Sequence, residues 1–311
     1  MKFSTSLSSV LALSGTTLAA TLPKRATGNV TDVDVLNYAL TLEHLEDKFY
    51  RDGLANFTQK QFADAGFDAT FYQNLKEISY DETTHVTFLT TALKAAGASP
   101  VMECKYAFGV NSVASFVATA SVLEGVGVSA YLGAAASIST KAYLTAAASI
   151  LTVESRHNAY LRAALKESPF AQPFDTPLDF DEVYTLASAF ITSCPSNNPP
   201  FLASLPLKAF TALSASGTAP IKTGSTITLT LAKLPAGWDG KQPLYAAWAA
   251  VTGSTFTPVK CLGHGKYQVV VPAGFHGQSY VVLTTNGTDS SDGNIVAGPA
   301  IVEISGSNGM L

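Results

Sequence analysis

Glu82-Thr-Thr-His85-Val-Thr-Phe-Leu89 recurs in this chain, in altered form, as Glu154-Ser-Arg-His157-Asn-Ala-Tyr-Leu161. Each segment lies in an apolar run with helical periodicity. Residues three apart share one face of a helix and are separated by about 4.5 Å along its axis. Each Glu-x-x-His pair can therefore offer a carboxylate and an imidazole to the same metal ion. A single pair is weak evidence, but two matched pairs indicate a site.

Two further glutamates extend the match into an internal repeat. Glu43 follows a leucine and precedes Tyr50 by seven residues, and Glu124 stands in the same relation to Tyr131. The repeat predicts a duplicated helical hairpin, with a longer connection in the first copy. A glutamate from each of two helices and a Glu-x-x-His pair from each of the other two form the ligand set of a dinuclear site inside a four-helix bundle.

Six residues are thus predicted as ligands of two Fe or Mn ions: Glu43, Glu82, His85, Glu124, Glu154 and His157. The lone glutamates are expected to bridge or cap the ions. Glu124 stands in residues 110–138, a stretch with no other charge, and a buried carboxylate without compensation is very costly. The alternative is a set of protonated or hydrogen-bonded glutamates and ordinary core histidines.

Three other residues are candidates for supporting the site, and no catalytic residue is assigned. Tyr50 and Tyr131 fall nearly on the faces of the lone glutamates, where they would relay electrons or orient ligands. The alternative for both is core packing. Glu46 lies one turn from Glu43 and is interpreted as an extra ligand or a hydrogen-bond partner. Its alternative is a solvated acid.

The pattern along the chain predicts an α+β protein of two domains. A leader spans 1–25, a helical bundle with one additional helix 26–195, a linker 196–219 and an antiparallel β-sandwich of immunoglobulin or fibronectin type 220–311. Asp32 or Asp34 is expected to cap the first helix. The predicted helices are residues 32–53, 70–96, 112–136, 140–167 and 181–192, with a loop at 55–68. The predicted strands are residues 226–231, 244–251, 266–271, 279–285 and 300–304.

The N-terminus reads as a secretory signal, with Lys24-Arg25 as a processing site beyond it. Cleavage there would change the formal net charge from −4 to −7, because three basic residues and no acid are lost. An acidic protein is an unsuitable partner for nucleic acid. Sequons at Asn29, Asn56 and Asn286 fit a secreted glycoprotein. Residues 114–136 are long enough to span a membrane, but the central Glu124 favours a buried bundle helix.

Cysteines and aromatic residues leave alternatives open. In an oxidising compartment Cys104 and Cys194 could pair and leave Cys261 alone, but the sequence does not decide the pairing. Aromatic residues of the β domain are either core residues or a platform for a cell-wall polymer. These residues are Trp238, Tyr245, Trp248 and Tyr267.

The chain resembles the secreted fungal ferritin-like proteins often labelled stress-response or late sexual development proteins, within the ferritin, rubrerythrin and manganese-catalase superfamily. The resemblance rests on residues 36–46 with Phe49-Tyr50, on both Glu-x-x-His pairs, and on residues 176–179 leading to 193–195. It covers about residues 32–200. It implies a ferritin-like bundle with the six residues above as metal ligands, and it implies little about the reaction.

Two functions follow as hypotheses. In the first, two Fe or Mn ions react with peroxide or dioxygen, as in a catalase-like or oxidase-like oxidoreductase, because mixed oxygen and nitrogen ligation suits these metals. In the second, the protein is not an enzyme. It sequesters metal in the bundle, or it serves a structural role in the cell wall through the β domain.

Overall fold

The computed structural model describes residues 30–196, 198, 207–234 and 242–307. The predicted leader, Asn29 and Trp238 lie outside these residues. The helices are α1 (Asp32–Asn56), α2 (Gln59–Asp64), α3 (Ala69–Ala95), α4 (Val113–Ala135), α5 (Lys141–Ala164) and α6 (Phe180–Ser188). The strands are β1 (Lys105–Tyr106), β2 (Ile191–Ser193), β3 (Leu213–Ser216), β4 (Thr226–Leu231), β5 (Tyr245–Trp248), β6 (Thr255–Pro258), β7 (Lys260–Gly263), β8 (Lys266–Val270), β9 (Gly277–Thr284) and β10 (Ile295–Ile304).

The four long helices form a bundle in which α1 packs on α3 and α4 packs on α5. Its core is aromatic at one end, where Phe49 stacks on Phe116 with ring centroids 4.8 Å apart. The small residues of α4 allow close approach of other segments. A Cβ on Gly133 would lie 1.7 Å from the Leu178 carbonyl oxygen, so the segment before α6 runs directly over α4. The α+β class predicted from the sequence is confirmed.

The start of α1 differs from the prediction. Thr31 is the N-cap residue, and it forms a capping box with Asp34. Threonine can accept from the N3 amide while the N3 carboxylate accepts from the cap amide, so both unpaired N–H groups are satisfied. Asp32 has another role: its carboxylate accepts hydrogen bonds from the amides of Ser139 at 2.7 Å and Thr140 at 3.0 Å. These bonds tie the α4–α5 connection to α1.

The segment predicted as a loop at residues 55–68 contains the short helix α2. Thr58 and Gln61 cap it, and Phe62 on its inner face is fully buried in the bundle core. The additional helix, α6, is shorter than predicted and is followed by β2, which pairs with β1. Beside this pair Cys104 and Cys194 form a disulfide, with their Cα atoms 4.2 Å apart.

The C-terminal part is a sandwich of two antiparallel four-stranded sheets, with orders β3-β4-β8-β7 and β10-β9-β5-β6. Lettered along the chain from β3 as A, B, C, C′, D, E, F and G, these orders are A-B-E-D and G-F-C-C′. This is the immunoglobulin topology. The prediction omitted three short strands, β3, β6 and β7. Trp248 and Tyr267 are buried between the sheets, so the interpretation of these two residues as a carbohydrate platform is wrong.

The β-sandwich packs directly on the bundle through β9 and β10. The Tyr280 hydroxyl donates to the Gly125 carbonyl at 2.9 Å, and the Tyr280 ring belongs to the bundle core. Gln278 donates to the Val122 carbonyl at 3.1 Å. A Cβ on Gly125 would lie 2.6 Å from the Gln278 side-chain oxygen, so a larger residue here would force the end of the Gln278 side chain to move.

Candidate metal centre

All six predicted ligands meet at the middle of the bundle. Helices α1 and α4 contribute Glu43 and Glu124, while α3 and α5 each contribute one Glu-x-x-His pair. The four glutamates have no exposed surface, and the two histidines, His85 and His157, are 8% and 6% exposed. This burial is expected both of metal ligands and of the alternative, protonated or hydrogen-bonded glutamates with core histidines.

The ligand atoms form two groups, in each of which they all lie within 4.8 Å of one another. The first group is Glu43, Glu82, His85 and Glu154, and the second is Glu82, Glu124, Glu154 and His157. Glu82 and Glu154 belong to both groups. The lone glutamates Glu43 and Glu124 each belong to one group, so in a site with two metal ions they would cap, and Glu82 and Glu154 would be the shared carboxylates.

The imidazole nitrogens that face the centre are both Nδ1. His85 Nδ1 lies 3.2 Å from Glu43, 3.3 Å from Glu154 and 3.4 Å from Glu82. His157 Nδ1 lies 3.1 Å from Glu82 and 3.3 Å from Glu124. Each histidine thus points one ring nitrogen into one ligand group.

Several of these polar atoms make no hydrogen bond of good geometry among the described residues, although the histidines lie within ion-pair distance of the glutamates. These atoms are both carboxylate oxygens of Glu82 and of Glu154, one oxygen of Glu124, and Nδ1 of His157. Native proteins leave few buried polar atoms unpaired, because each costs about 1–3 kcal/mol. Oxygen and imidazole donors that converge on two points fit two hard or borderline divalent cations.

Comparison with known proteins agrees with this geometry. A profile of the ferritin-like domain family matches residues 31–167, the segment that carries all six converging residues. Residues 31–167 form a ferritin-like domain. Over 326 aligned positions the chain is 24% identical to protein rds1 of Schizosaccharomyces pombe, covering 88% of this chain and 80% of that protein. This likeness supports the resemblance to fungal ferritin-like proteins.

The two repeat-related tyrosines bond across the ferritin-like domain. The Tyr50 hydroxyl on α1 donates to Glu124 on α4 at 2.5 Å, and the Tyr131 hydroxyl on α4 donates to Glu43 on α1. Sequence spacing placed each tyrosine near the glutamate of its own helix, and the structure pairs each with the glutamate of the other half. Both tyrosines therefore orient the capping carboxylates.

Glu46 is buried, which rules out its interpretation as a solvated acid. It lies outside both ligand groups but close to them. A Cβ on Gly127 would lie 3.0 Å from an oxygen of Glu46 and 3.1 Å from an oxygen of Glu154. Burial and then the charge of Glu154 raise the pKa of Glu46 well above its ordinary value. Glu46 is thus a buried polar neighbour of the ligand groups, and no side chain stands between it and Glu154 at position 127.

Asp81 is a site residue that the sequence analysis missed. Its carboxylate lies 3.2 Å from Nε2 of His157, the nitrogen that faces away from the centre. A carboxylate in this position fixes the tautomer and orientation of a ligating imidazole. The sequence signal was present, since Asp81 directly precedes Glu82. The equivalent residue of the repeat is Val153, so the two halves of the site differ here.

Burial and mutual charge shift the pKa values of the cluster. Burial, followed by the charge of Glu154, raises the pKa of Glu82 to about 7. Burial alone would lower the pKa of His157, but Glu124 and Glu82 raise it to about 11. Ligands must release protons before they bind a cation, so metal binding is expected to weaken as pH falls.

One helix of the described chain, α4, is long and apolar enough to cross a membrane. Most of its apolar stretch is buried inside the molecule, and Glu124 at its centre points into the ligand cluster. The apolar character of α4 is therefore that of a core helix.

Proposed function

We propose that the ferritin-like domain holds two Fe or Mn ions and serves redox chemistry with peroxide or dioxygen. The observation that carries this proposal is the pair of buried ligand groups that share Glu82 and Glu154. Two groups with two shared carboxylates suit a dinuclear centre, whereas two separate mononuclear sites would share none. Glu43 with His85 and Glu124 with His157 would complete the two coordination spheres.

The donor set supports Fe or Mn. It consists of carboxylate oxygens and imidazole nitrogens, with no thiolate, because Cys104 and Cys194 are joined in a disulfide and Cys261 is exposed in the β-sandwich. Such oxygen-rich sets suit redox-active first-row ions better than the soft thiolate sets that select Cu(I).

When bound, Fe or Mn would supply redox chemistry: electrons would pass to dioxygen or peroxide, and peroxide can also act as the electron donor. The protein positions the ligand side chains and excludes bulk water from the site. Tyr50 and Tyr131 fix the capping carboxylates, and Asp81 orients the His157 ring. The full burial of the glutamates keeps bulk water away from the centre and strengthens every charge interaction there.

Secretion is the second part of the proposal. The signal-like N-terminus and the Cys104–Cys194 disulfide both fit an oxidising compartment. The sequon residues Asn56 and Thr58 are exposed, as glycosylation requires. The resemblance to fungal stress-response and late sexual development proteins implies a role in stress or development.

Elemental analysis of secreted protein purified without chelator tests the metal proposal. We expect up to about two transition-metal ions per chain. Less than about a tenth of an ion, after reconstitution with Fe(II) and Mn(II), would contradict the proposal. Peroxide and dioxygen consumption by the metal-loaded protein then separates the two hypotheses. Metal uptake without turnover of either oxidant would indicate a sequestering or structural protein.

A further inference from the structure

A pocket opens between the ferritin-like domain and the β-sandwich and runs toward the metal centre. Its volume is about 220 Å³, and its walls come from α1, α4, α6, β10 and the residues around the start of β3. Ala189 and Ala212 line it and are exposed, so they mark its mouth. Glu46 and Gly127 also line it, are buried and lie next to the predicted ligand Glu154, and we call this part of the pocket its inner end.

The lining is almost entirely hydrocarbon. Leu45 and Val126 line it on the side of the bundle, and Ile301 lines it on the side of the β-sandwich. Thr185 also lines the pocket, but its hydroxyl is already engaged with the Asp181 carbonyl and the Phe210 amide. Among the described residues of the lining none is basic, so nothing there would neutralise an anionic group.

The inner end lies beside the proposed metal centre because of Gly127. A Cβ at this position would lie 3.0 Å from an oxygen of Glu46 and 3.1 Å from an oxygen of Glu154, so both carboxylates approach the Gly127 backbone closely. Glu46 is therefore the lining residue that lies between the pocket and the shared ligand Glu154.

We propose that this pocket binds an uncharged, mainly hydrocarbon molecule and holds one end of it against Glu46, beside the carboxylates of the metal centre. The size of the occupant follows from the volume. An apolar cavity of about 150 Å³ accommodates benzene, so the larger pocket here suits a bicyclic ring or a short alkyl-substituted ring. Dioxygen or peroxide alone would need no such pocket. The adjacency to metal rests on the proposed function, but the binding itself does not.

Binding is tested with 1-aminonaphthalene, an uncharged bicyclic amine, titrated calorimetrically into the full-length protein at neutral pH. We expect saturable binding with one site per chain in both metal-free and metal-loaded protein. Ala189→Trp and Ala212→Trp place a large ring at the mouth without overpacking the core, because both positions are exposed. Each should weaken binding at least tenfold.

The matched control is Ala95→Trp, at an exposed position at the end of α3 that is not part of the pocket lining. It should bind the probe as the wild type does. The inference is overturned by either of two results. One is the absence of saturable binding to the wild type, and the other is an equal loss in Ala95→Trp and the two mouth variants.

A second measurement tests the position of the bound molecule. In protein loaded with paramagnetic Mn(II), proton relaxation of the bound probe should be strongly enhanced over that in metal-free protein, and the Ala212→Trp variant should abolish the enhancement. Normal binding without enhancement in protein shown to contain Mn(II) would refute the placement beside the centre. If the protein takes up no metal, the proposed function fails while the calorimetric result on the pocket stands.

Discussion

Glu82 and Glu154 differ from the other four converging residues because each belongs to both ligand groups. A shared carboxylate holds two ions together and neutralises charge at both. A capping carboxylate such as Glu43 affects one. Substitution of a shared carboxylate should therefore reduce the metal content more than substitution of a capping carboxylate.

We expect Glu82→Gln to lower metal content from about two ions per chain to less than about half an ion, because both groups lose a charged donor. Glu43→Gln should leave about one ion. Elemental analysis after gel filtration measures both. The control is Glu77→Gln, at an exposed position of the same helix, α3. Equal losses in the Glu82 and Glu43 variants would contradict the assignment of bridging and capping roles.

The crossed tyrosine bonds lead to a second prediction. Tyr50→Phe removes the hydroxyl that donates to Glu124, and Tyr131→Phe removes the one that donates to Glu43. Loss of such an outer hydrogen bond weakens metal affinity about 10- to 100-fold. Each variant should weaken one of two binding steps in a chelator competition titration. Tyr160→Phe, whose hydroxyl contacts Asn74 away from the site, should have no effect. Unchanged affinities in both variants would show that these bonds do not support the ligands.

At the residue scale the sequence predicted which side chains converge, because spacing of three and four on a helix specifies the face that each occupies. It did not predict which glutamates are shared. Which glutamates are shared depends on the position of each helix along and around the bundle axis. The periodicity of the sequence does not specify that position. Asp81 was missed for a related reason, since its partner His157 is on another helix.

Among the elements, α6 carries an acidic cluster that makes its packing pH-dependent. Asp179 and Glu182 cap each other through their backbone amides. Burial, then the charges of Glu182 and Asp292, raises the pKa of Asp179 to about 9. Burial likewise raises the pKa of Glu182 to about 7. We therefore expect the folded protein to hold protons near neutral pH that the unfolded chain has already released.

The sign of the resulting pH dependence follows from proton binding. Between the unfolded pKa of an aspartate, about 4, and the folded value, the folded state binds more protons, so stability falls as pH rises. Asp179→Asn cannot ionise and remains a good N-cap. In chelator-treated protein, the loss of stability between pH 5 and pH 8 should be smaller in this variant by up to about 4 kcal/mol, because each pH unit in this range contributes about 1.4 kcal/mol.

Thermal unfolding at the two pH values measures this difference. The control is Asp64→Asn on α2, an exposed aspartate that pairs with Lys60. It should keep the pH dependence of the wild type. An Asp179→Asn protein with that same dependence would show that the residue is already ionised in the folded state.

Element boundaries show what local sequence can and cannot specify. The four long helices were predicted to within a few residues because each carries a sustained apolar repeat. Helix α2 was missed, since six residues with one buried side chain, Phe62, are too few for a periodic signal. Strands β6 and β7 were missed for the same reason: they are four residues long and largely half-buried or exposed.

At the scale of the whole molecule, the β-sandwich packs against the bundle through specific contacts. Arg162 on α5 donates two hydrogen bonds to Glu303 on β10, at 2.9 and 2.8 Å. The sequence did not predict this interface. Gln278 and Tyr280, which form much of this interface, lie in β9. The alternation of buried and exposed residues along a strand predicts which side chains face the sandwich core, but it does not predict contacts with another domain.

We expect the helical part to fold and bind metal without the β-sandwich. All six converging residues precede residue 165, and the Cys104–Cys194 disulfide is complete before Ser196. A chain ending at Ser196 should therefore keep its metal content. It should also lose stability, because the slot filled by the Tyr280 ring is opened. We expect a Tm lower by about 5–15 °C in differential scanning calorimetry.

A full-length Tyr280→Phe variant serves as the matched comparison, since it keeps the ring but removes the bonds to Gly125 and Ser129. It should retain metal and show a smaller fall in Tm than the truncated chain. The measured quantities are metal content and Tm in all three proteins. A truncated chain that folds, by circular dichroism, yet takes up no metal would mean that the β-sandwich sets the bundle geometry that the ligands need. The domain boundary near residue 196 would then be structural only, and the functional unit would be the whole chain.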